Sequence, residues 1–282
     1  CNAAVEHASG DYLCFLNNDT AVLPGWLDEL VGSFERNPMA GLVGSKLIYP
    51  NGLLQEAGGV IWDRGECANF GRLQDPLLPE YNYERDVDYI SGAAIMIPSK
   101  VWESLGGFSE ELSPAYYEDT DFAMKVRAAG KRVIYQPLSV VVHYEGISSG
   151  TDLSSGVKKY QEINKSKFAE RWRNVLASHG EPGDLSLGMV DRCPKARILI
   201  FDAEVPMPDR DSGSITAFFY MKLLTELGYR VTFVASNLSW AGKYSRALQR
   251  IGVRIIHKPY VDNAHQYMLE HGGNFDLFIL SR

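Results

Sequence analysis

Three short stretches carry side chains whose types and spacing could do chemistry. Asn17-Asn18-Asp19-Thr20 follows the apolar run Tyr12-Leu13-Cys14-Phe15-Leu16, which reads as a buried strand. Open α/β sheets bind ligands at the carboxyl ends of their strands, so Asp19 is placed to act on one. The same residues also suit an Asx turn that simply closes the strand. Tyr116-Tyr117-Glu118-Asp119-Thr120-Asp121 stands at the start of a helical pattern. Acids there gain about 0.3–1 kcal/mol each from the helix dipole. Three acids within four residues exceed what capping needs. Their repulsion should raise at least one pKa, which suits a general base but is compatible with a plain acidic surface. His143 closes Ser139-Val140-Val141-Val142, as either a ligand or a structural histidine. Glu145 to Gly150 then reads as a flexible loop of the kind that folds over a substrate. Between these stretches, the small residues Ser91-Gly92-Ala93-Ala94 interrupt a bulky strand and would permit a ligand to approach closely.

The elements that must position these groups follow from periodicity and turn residues. In the first part, a strand at 12–16 leads to a helix opened by Pro24, with Trp26, Leu27, Leu30, Val31 and Phe34 at helical spacing and Asn37-Pro38 as its stop. Strands are predicted at 41–49 and 89–97, and residues 50–88 read mostly as loop. A short helix at 98–105 ends at Gly106-Gly107, and a helix at 118–129 ends at Gly130. Strand pieces follow at 133–135 and 140–143, then a long helix at 153–176. That helix carries Lys158, Lys159, Lys165, Lys167, Arg171 and Arg173, which form either a solvated face or a peripheral contact with anionic lipid. Residues 178–195 read as a linker. Beyond it strands at 197–201, 231–235, 253–257 and 275–280 alternate with helices at 213–227, 244–251 and 263–270, the pattern of a parallel, doubly wound sheet.

Taken together, the stretches resemble family 2 glycosyltransferases, the inverting nucleotide-sugar enzymes of the GT-A fold. The matching residues are Phe15 to Thr20 with Pro24-Gly25-Trp26-Leu27, Ser91 to Ala94, Gly106 to Glu110, Glu118 to Phe122, and Val141-Val142-His143. The resemblance covers about residues 1–176 and implies an α/β GT-A domain over 1–177. It implies donor binding by Asn17, Asn18 and Asp19, with Asp19 and His143 holding a divalent cation (Mn²⁺ or Mg²⁺, of which imidazole suits Mn²⁺ better). Asp119 would be the base that deprotonates the acceptor hydroxyl, with Gly92 and Glu118 lining the acceptor side. The family's opening strands and their nucleobase-binding segment are missing here. The chain, which begins Cys-Asn-Ala-Ala, is therefore read as an incomplete piece expected to bind nucleotide poorly.

The second part, 196–282, resembles the Rossmann-like first half of GT-B transferases of family 4. Asp209-Arg210-Asp211-Ser212-Gly213-Ser214 is its most specific match. That loop suits either an anion at a helix N-terminus or an N-cap by Ser212 or Ser214. The implied whole is a bifunctional polysaccharide-building enzyme. Its partners would be a nucleotide-diphospho-sugar and a glycan or lipid-linked acceptor, and its location cytoplasmic, either free or peripheral at the inner membrane face. Composition fits and prunes this reading. A net charge of −7 argues against a nucleic-acid binder, and no apolar run is long enough to span a bilayer. Cys1, Cys14, Cys67 and Cys193 lack the paired spacing of a disulfide framework or zinc site, which fits a reducing compartment. Two competing classes are a carbohydrate-binding scaffold derived from a transferase and a metal-dependent phosphoesterase. Asp19, Asp119 and His143 together argue against the scaffold, and the thin supply of clustered metal ligands argues against the phosphoesterase.

Overall fold

The computed structural model describes residues 1–144, 159–186, 190 and 194–281. The predicted closing loop at 145–150, the first part of the predicted long helix (153–158) and Cys193 lie outside the described residues. The chain divides into two compact units, one of Cys1–Pro76 with Asp86–Arg192 and one of Leu77–Arg85 with Cys193–Arg282.

In the first unit a short helix α1 (Asn2–Val5) precedes β1 (Tyr12–Leu16) and β2 (Thr20–Val22). Then come α2 (Trp26–Arg36), β3 (Ala40–Ile48), β4 (Leu54–Glu56), β5 (Gly59–Ile61) and β6 (Cys67–Asn69). The remaining elements are β7 (Ala94–Pro98), α3 (Ser99–Leu105), α4 (Glu118–Ala128), β8 (Arg132–His143) and α5 (Lys159–Leu176). The main sheet runs β1-β7-β3-β8-β2, with β4 added to β3. β3 and β8 pair in parallel, whereas β1 with β7, β3 with β7, β2 with β8 and β3 with β4 pair antiparallel. β3 is buried along nearly its whole length, as expected of a strand covered on both faces. α2 starts after Gly25, whose φ of 82° is the left-handed conformation that glycine adopts without strain. Its Leu30 and Phe34 pack on Ala40, Val43, Met96 and Ile134.

Several expectations need correction. β1 is not a buried strand: it lies at the sheet edge and pairs with β7 alone, so only Leu13 of its five residues is buried. Residues 50–88 are not mostly loop. Four short strands form there, the last at Arg85–Asp86, and Leu54 to Trp62 are buried. The glycines that suggested a loop are packing positions, since a Cβ on Gly59 would come within 2.0 Å of the Tyr89 ring. The strand predicted from Tyr89 begins only at Ala94, because Gly92 and Ala93 form a turn. The two strand pieces at 133–143 are one strand. Pro137, which lacks an N–H, falls within a register irregularity, where Gln136 Oε1 accepts from the Leu138 N–H at 3.0 Å. The predicted linker is fastened to the first unit. There His179 Nδ1 bonds Ile61 O at 2.7 Å, and the Trp62 indole donates to Asp184 O at 2.9 Å.

The second unit has four parallel strands, β9 (Arg197–Asp202), β10 (Arg230–Ala235), β11 (Arg254–Ile256) and β12 (Leu277–Leu280), in the spatial order β11-β10-β9-β12. The helices α6 (Ser212–Glu226), α7 (Lys243–Arg250) and α8 (Ala264–His271) fall between them in sequence. Alternate strand residues feed two cores. Ile198, Ile200, Val231 and Phe233 pack with Met221 and Leu248, whereas Leu199, Val234 and Ile256 pack with Ala264 and Tyr267. Burial on both faces is why β9 and β10 read as continuous apolar runs, whereas the edge strand β12 is largely exposed.

Candidate active site

A cavity of about 1420 Å³ in the first unit is lined by Asn17, Asn18, Asp19, Gly92, Glu118, Asp119 and His143. All the site residues predicted in the first part therefore face one space, although they are scattered over more than a hundred positions of sequence.

Asn17 to Asp19 form the tight connection between β1 and β2. The Asn17 N–H donates to Ala93 O at 2.9 Å, and Thr20 Oγ1 donates to Asn17 O at 2.6 Å. The turn reading and the site reading thus hold together: the turn closes the strand, and it presents Asp19 to the cavity. β2 pairs with the end of β8, with Thr20 opposite His143. The Tyr144 N–H donates to Asp19 O at 2.9 Å. Asp19 Oδ1 and His143 Nε2 are then 3.4 Å apart, both side chains largely buried. His143 Nδ1 lies 3.1 Å from Gln55 Oε1. An amide oxygen accepts only, so Nδ1 donates its proton to Gln55 and Nε2 is the ring nitrogen that faces Asp19. Sequence reasoning missed Gln55, which no motif marks.

The spacing of this pair suits a divalent cation. Adjacent corners of an octahedron with metal–oxygen distances of about 2.1 Å lie about 3 Å apart, close to the observed separation. An imidazole nitrogen beside a carboxylate is a suitable donor set. Among the described residues no group of three or more His, Cys, Asp or Glu side chains could hold an ion. The remaining ligands would have to come from substrate oxygens and water.

The three acids of the α4 motif are treated differently by the fold. Asp119 Oδ2 accepts from the Gly92 N–H at 2.7 Å, and its Oδ1 accepts from the Thr120 N–H at 2.6 Å and Thr120 Oγ1 at 3.1 Å. Burial raises its pKa, and these bonds pull it back. Gly92 also orients the carboxylate, through its backbone N–H. Glu118 is pushed up to about 7, first by burial and then by the charge of Asp119. Its buried Oε2 has no hydrogen-bond partner among the described residues. Asp121 is wholly buried and structural. It accepts from Ser109 Oγ at 2.6 Å, from the Trp172 indole at 2.8 Å and from Arg171 Nη1 at 2.9 Å.

That last set bears on the basic helix. Arg171 points to Asp121 and Glu111. Lys167 donates to Glu111 O at 2.5 Å, while Lys165 and Arg173 pair with Glu162 and Glu170 on the same helix. These four cations of α5 are engaged within the protein, and no helix among the described residues is long and apolar enough to cross a membrane.

In the second unit the loop before α6 is capped by Asp211, not by Ser212 or Ser214. The Ser214 N–H donates to Asp211 Oδ1 at 2.7 Å, and Ser214 Oγ donates to Oδ2 at 2.6 Å. Gly213 follows within the first turn, close to the Asp211 carboxylate. A carboxylate of the chain's own already occupies the position an anion would take. Asp209 adds a second, bonded by Lys243 Nζ at 2.8 Å and Tyr244 Oη at 2.6 Å.

Comparison with known proteins supports the same family. The model of Glycosyl transferase family 2 matches residues 1–77. An O-antigen biosynthesis protein of Myxococcus xanthus is 36% identical over 157 residues, 54% of this chain and 12% of that protein. The N-acetylglucosaminyl-diphospho-decaprenol L-rhamnosyltransferase of Mycobacterium tuberculosis is 26% identical over 185 residues, 59% of each chain. The chain thus matches only part of the length of both relatives. Among solved structures, that of GalNAc-T7 with UDP, GalNAc and Mn²⁺ is 16% identical with a TM-score of 0.47, over 60% of this chain and 33% of that one. Residues 1–77 are thus similar to glycosyltransferases of family 2, and the two relatives match over half of this chain.

Proposed function

We propose that the first unit transfers a sugar from a nucleotide-diphospho-sugar to a hydroxyl of a glycan or lipid-linked acceptor, with inversion. The observation that carries this reading is the orientation of Asp119 on the shared cavity, with its carboxylate fixed by the Gly92 and Thr120 N–H groups. Asp119 takes the proton of the acceptor hydroxyl as that oxygen attacks the anomeric carbon. The bond from that carbon to the diphosphate breaks, and its electron pair leaves with the diphosphate. One base suffices for a single displacement. Glu118 and Gly92 line the acceptor side, and Glu118 in its protonated form can donate to an acceptor oxygen. Asn17 and Asn18 bind the donor. Asp19 and His143 would hold a divalent cation, Mn²⁺ or Mg²⁺, whose charge when bound offsets that of the leaving diphosphate.

The parallel sheet of the second unit supports its reading as the start of a GT-B module of family 4 type. The whole would then be a bifunctional polysaccharide-building protein in which one module's product reaches the next at high local concentration. Because four of the basic side chains of α5 have partners in the protein, membrane contact through α5 is not part of the proposal.

The test is sugar transfer and nucleoside-diphosphate binding measured side by side with Mn²⁺ present. Asp119→Asn should lower the transfer rate about a thousandfold, within the usual range for a lost general base, and leave binding within twofold. Asp19→Ala should abolish the Mn²⁺-dependent part of binding. Undiminished transfer by Asp119→Asn would overturn the reading.

A further inference from the structure

We infer that Asn164, on α5, is a positioning residue for the Glu118–Asp119 pair, 45 positions earlier in the chain. Its side chain is fully buried, and its Nδ2 donates to three backbone carbonyls of one turn, Leu112 O at 2.6 Å, Ala115 O at 2.9 Å and Tyr116 O at 3.1 Å. The flipped amide would set its oxygen against three acceptors, so only one orientation satisfies the turn. Its Oδ1 is buried without a hydrogen-bond partner among the described residues. The side chain leaves its own acceptor unsatisfied while gathering those carbonyls, which points to the turn as what it serves.

The turn leads directly into the site. Tyr116 and Tyr117 have φ of 73° and 70°, left-handed backbone that residues with a Cβ adopt only when their surroundings impose it. The Tyr117 carbonyl then accepts from the Asp121 N–H at 2.8 Å in the first turn of α4, whose opening residues are Glu118 and Asp119. The same helix α5 flanks the second tyrosine, with Phe168 5.2 Å from the Tyr117 ring, while Tyr117 Oη donates to Gly65 O at 3.0 Å. Asn164 therefore holds two successive strained residues whose geometry sets the pitch of α4 and the reach of Asp119 to the Gly92 N–H.

The test needs no sugar transfer, so it is decided whether or not Asp119 proves to be a base. Amide hydrogen exchange is followed by NMR in the whole chain and in Asn164→Ala, with Asn164→Leu as the volume-keeping variant if alanine does not fold. The Gly92 and Thr120 amides, both bonded by the Asp119 carboxylate, should exchange at least tenfold faster, while the Ile134 amide of β8 stays within twofold. Unchanged exchange at Gly92 would overturn the inference. So would equal acceleration at all three amides, the signature of a merely structural residue. Where transfer is measured, kcat should fall at least tenfold with the donor KM within twofold. Absence of transfer in the unmodified chain would count against the proposed function and leave the exchange result intact.

Discussion

Glu118 and Asp119 are neighbours in sequence, yet the fold gives one a full set of hydrogen bonds and leaves an oxygen of the other without any. The consequence is a pH dependence with a definite sign. The pKa of Glu118 lies near 7 in the folded chain, raised from 4.5 by burial and by the Asp119 charge. The folded state thus holds a proton that the unfolded state releases between about pH 4.5 and 7. Stability contributed by this group is present below that window and is lost as pH rises through it. Glu118→Gln removes the titration. Relative to the unmodified chain, it should gain on the order of 1–3 kcal/mol between pH 4.5 and pH 8, since raising a pKa by one costs the charged form about 1.4 kcal/mol and partial exposure softens that cost. Urea denaturation at the two pH values measures this, and a gain independent of pH would contradict it. The sequence displayed three acids together but not their division of labour. Their directions around a helix depend on what packs against each face, and the partners of Asp121 lie some fifty residues later.

At the scale of elements, α4 and α5 are fastened by that same Asp121. Its carboxylate is wholly buried and bonded to Ser109, Arg171 and Trp172, with Lys125 Nζ at 3.6 Å. Breaking a buried pair by removing one partner leaves an uncompensated charge and costs about 3–5 kcal/mol. Arg171 keeps about a third of its side-chain exposure, so Asp121→Asn is expected at about 2–4 kcal/mol. The double variant with Arg171→Met should cost less than the sum of the two single changes, because the guanidinium that loses its Asp121 partner is gone. Strict additivity in a denaturation cycle would show that the two side chains do not act as a pair. Basic residues at 158–173 displayed a charge pattern whose use the sequence left open. Elements were legible where one force dominated: α2 and α4 carry clear stop signals, and β3 is mostly apolar and buried along nearly its whole length. They were not legible at 54–69, where short strands are held by glycine contacts such as Gly59 on Tyr89 that mimic loop composition.

At the scale of the whole molecule, the alternation of strands and helices from Arg197 onward was readable almost residue by residue, because burial on both sheet faces writes the inner strands as apolar runs. The membership of Leu77–Arg85 was not readable, since nothing local separates it from the polar stretch around it. This segment belongs with the second unit although the sequence between 86 and 192 intervenes. Its Tyr81 and Tyr83 are buried, the Glu84 N–H donates to Gln249 O at 2.9 Å, and Arg230 lies 5.2 Å from the Tyr83 ring centre. The turn after α7 is shaped to receive it: Gly252 has φ +84°, and a Cβ there would come within 3.1 Å of Glu84 O. Truncating a large buried aromatic costs about 3–5 kcal/mol, and somewhat less where the site can collapse. Tyr81→Ala should therefore destabilise a unit more than a hundred residues away in sequence. Hydrogen exchange at Ile255 of β11 should rise roughly a hundredfold, the equivalent of about 3 kcal/mol, while Val43 of β3 keeps its rate. If Val43 accelerated and Ile255 did not, the segment would belong to the first unit, and the division of the chain would be a single cut near residue 193 instead of an exchange of a strap.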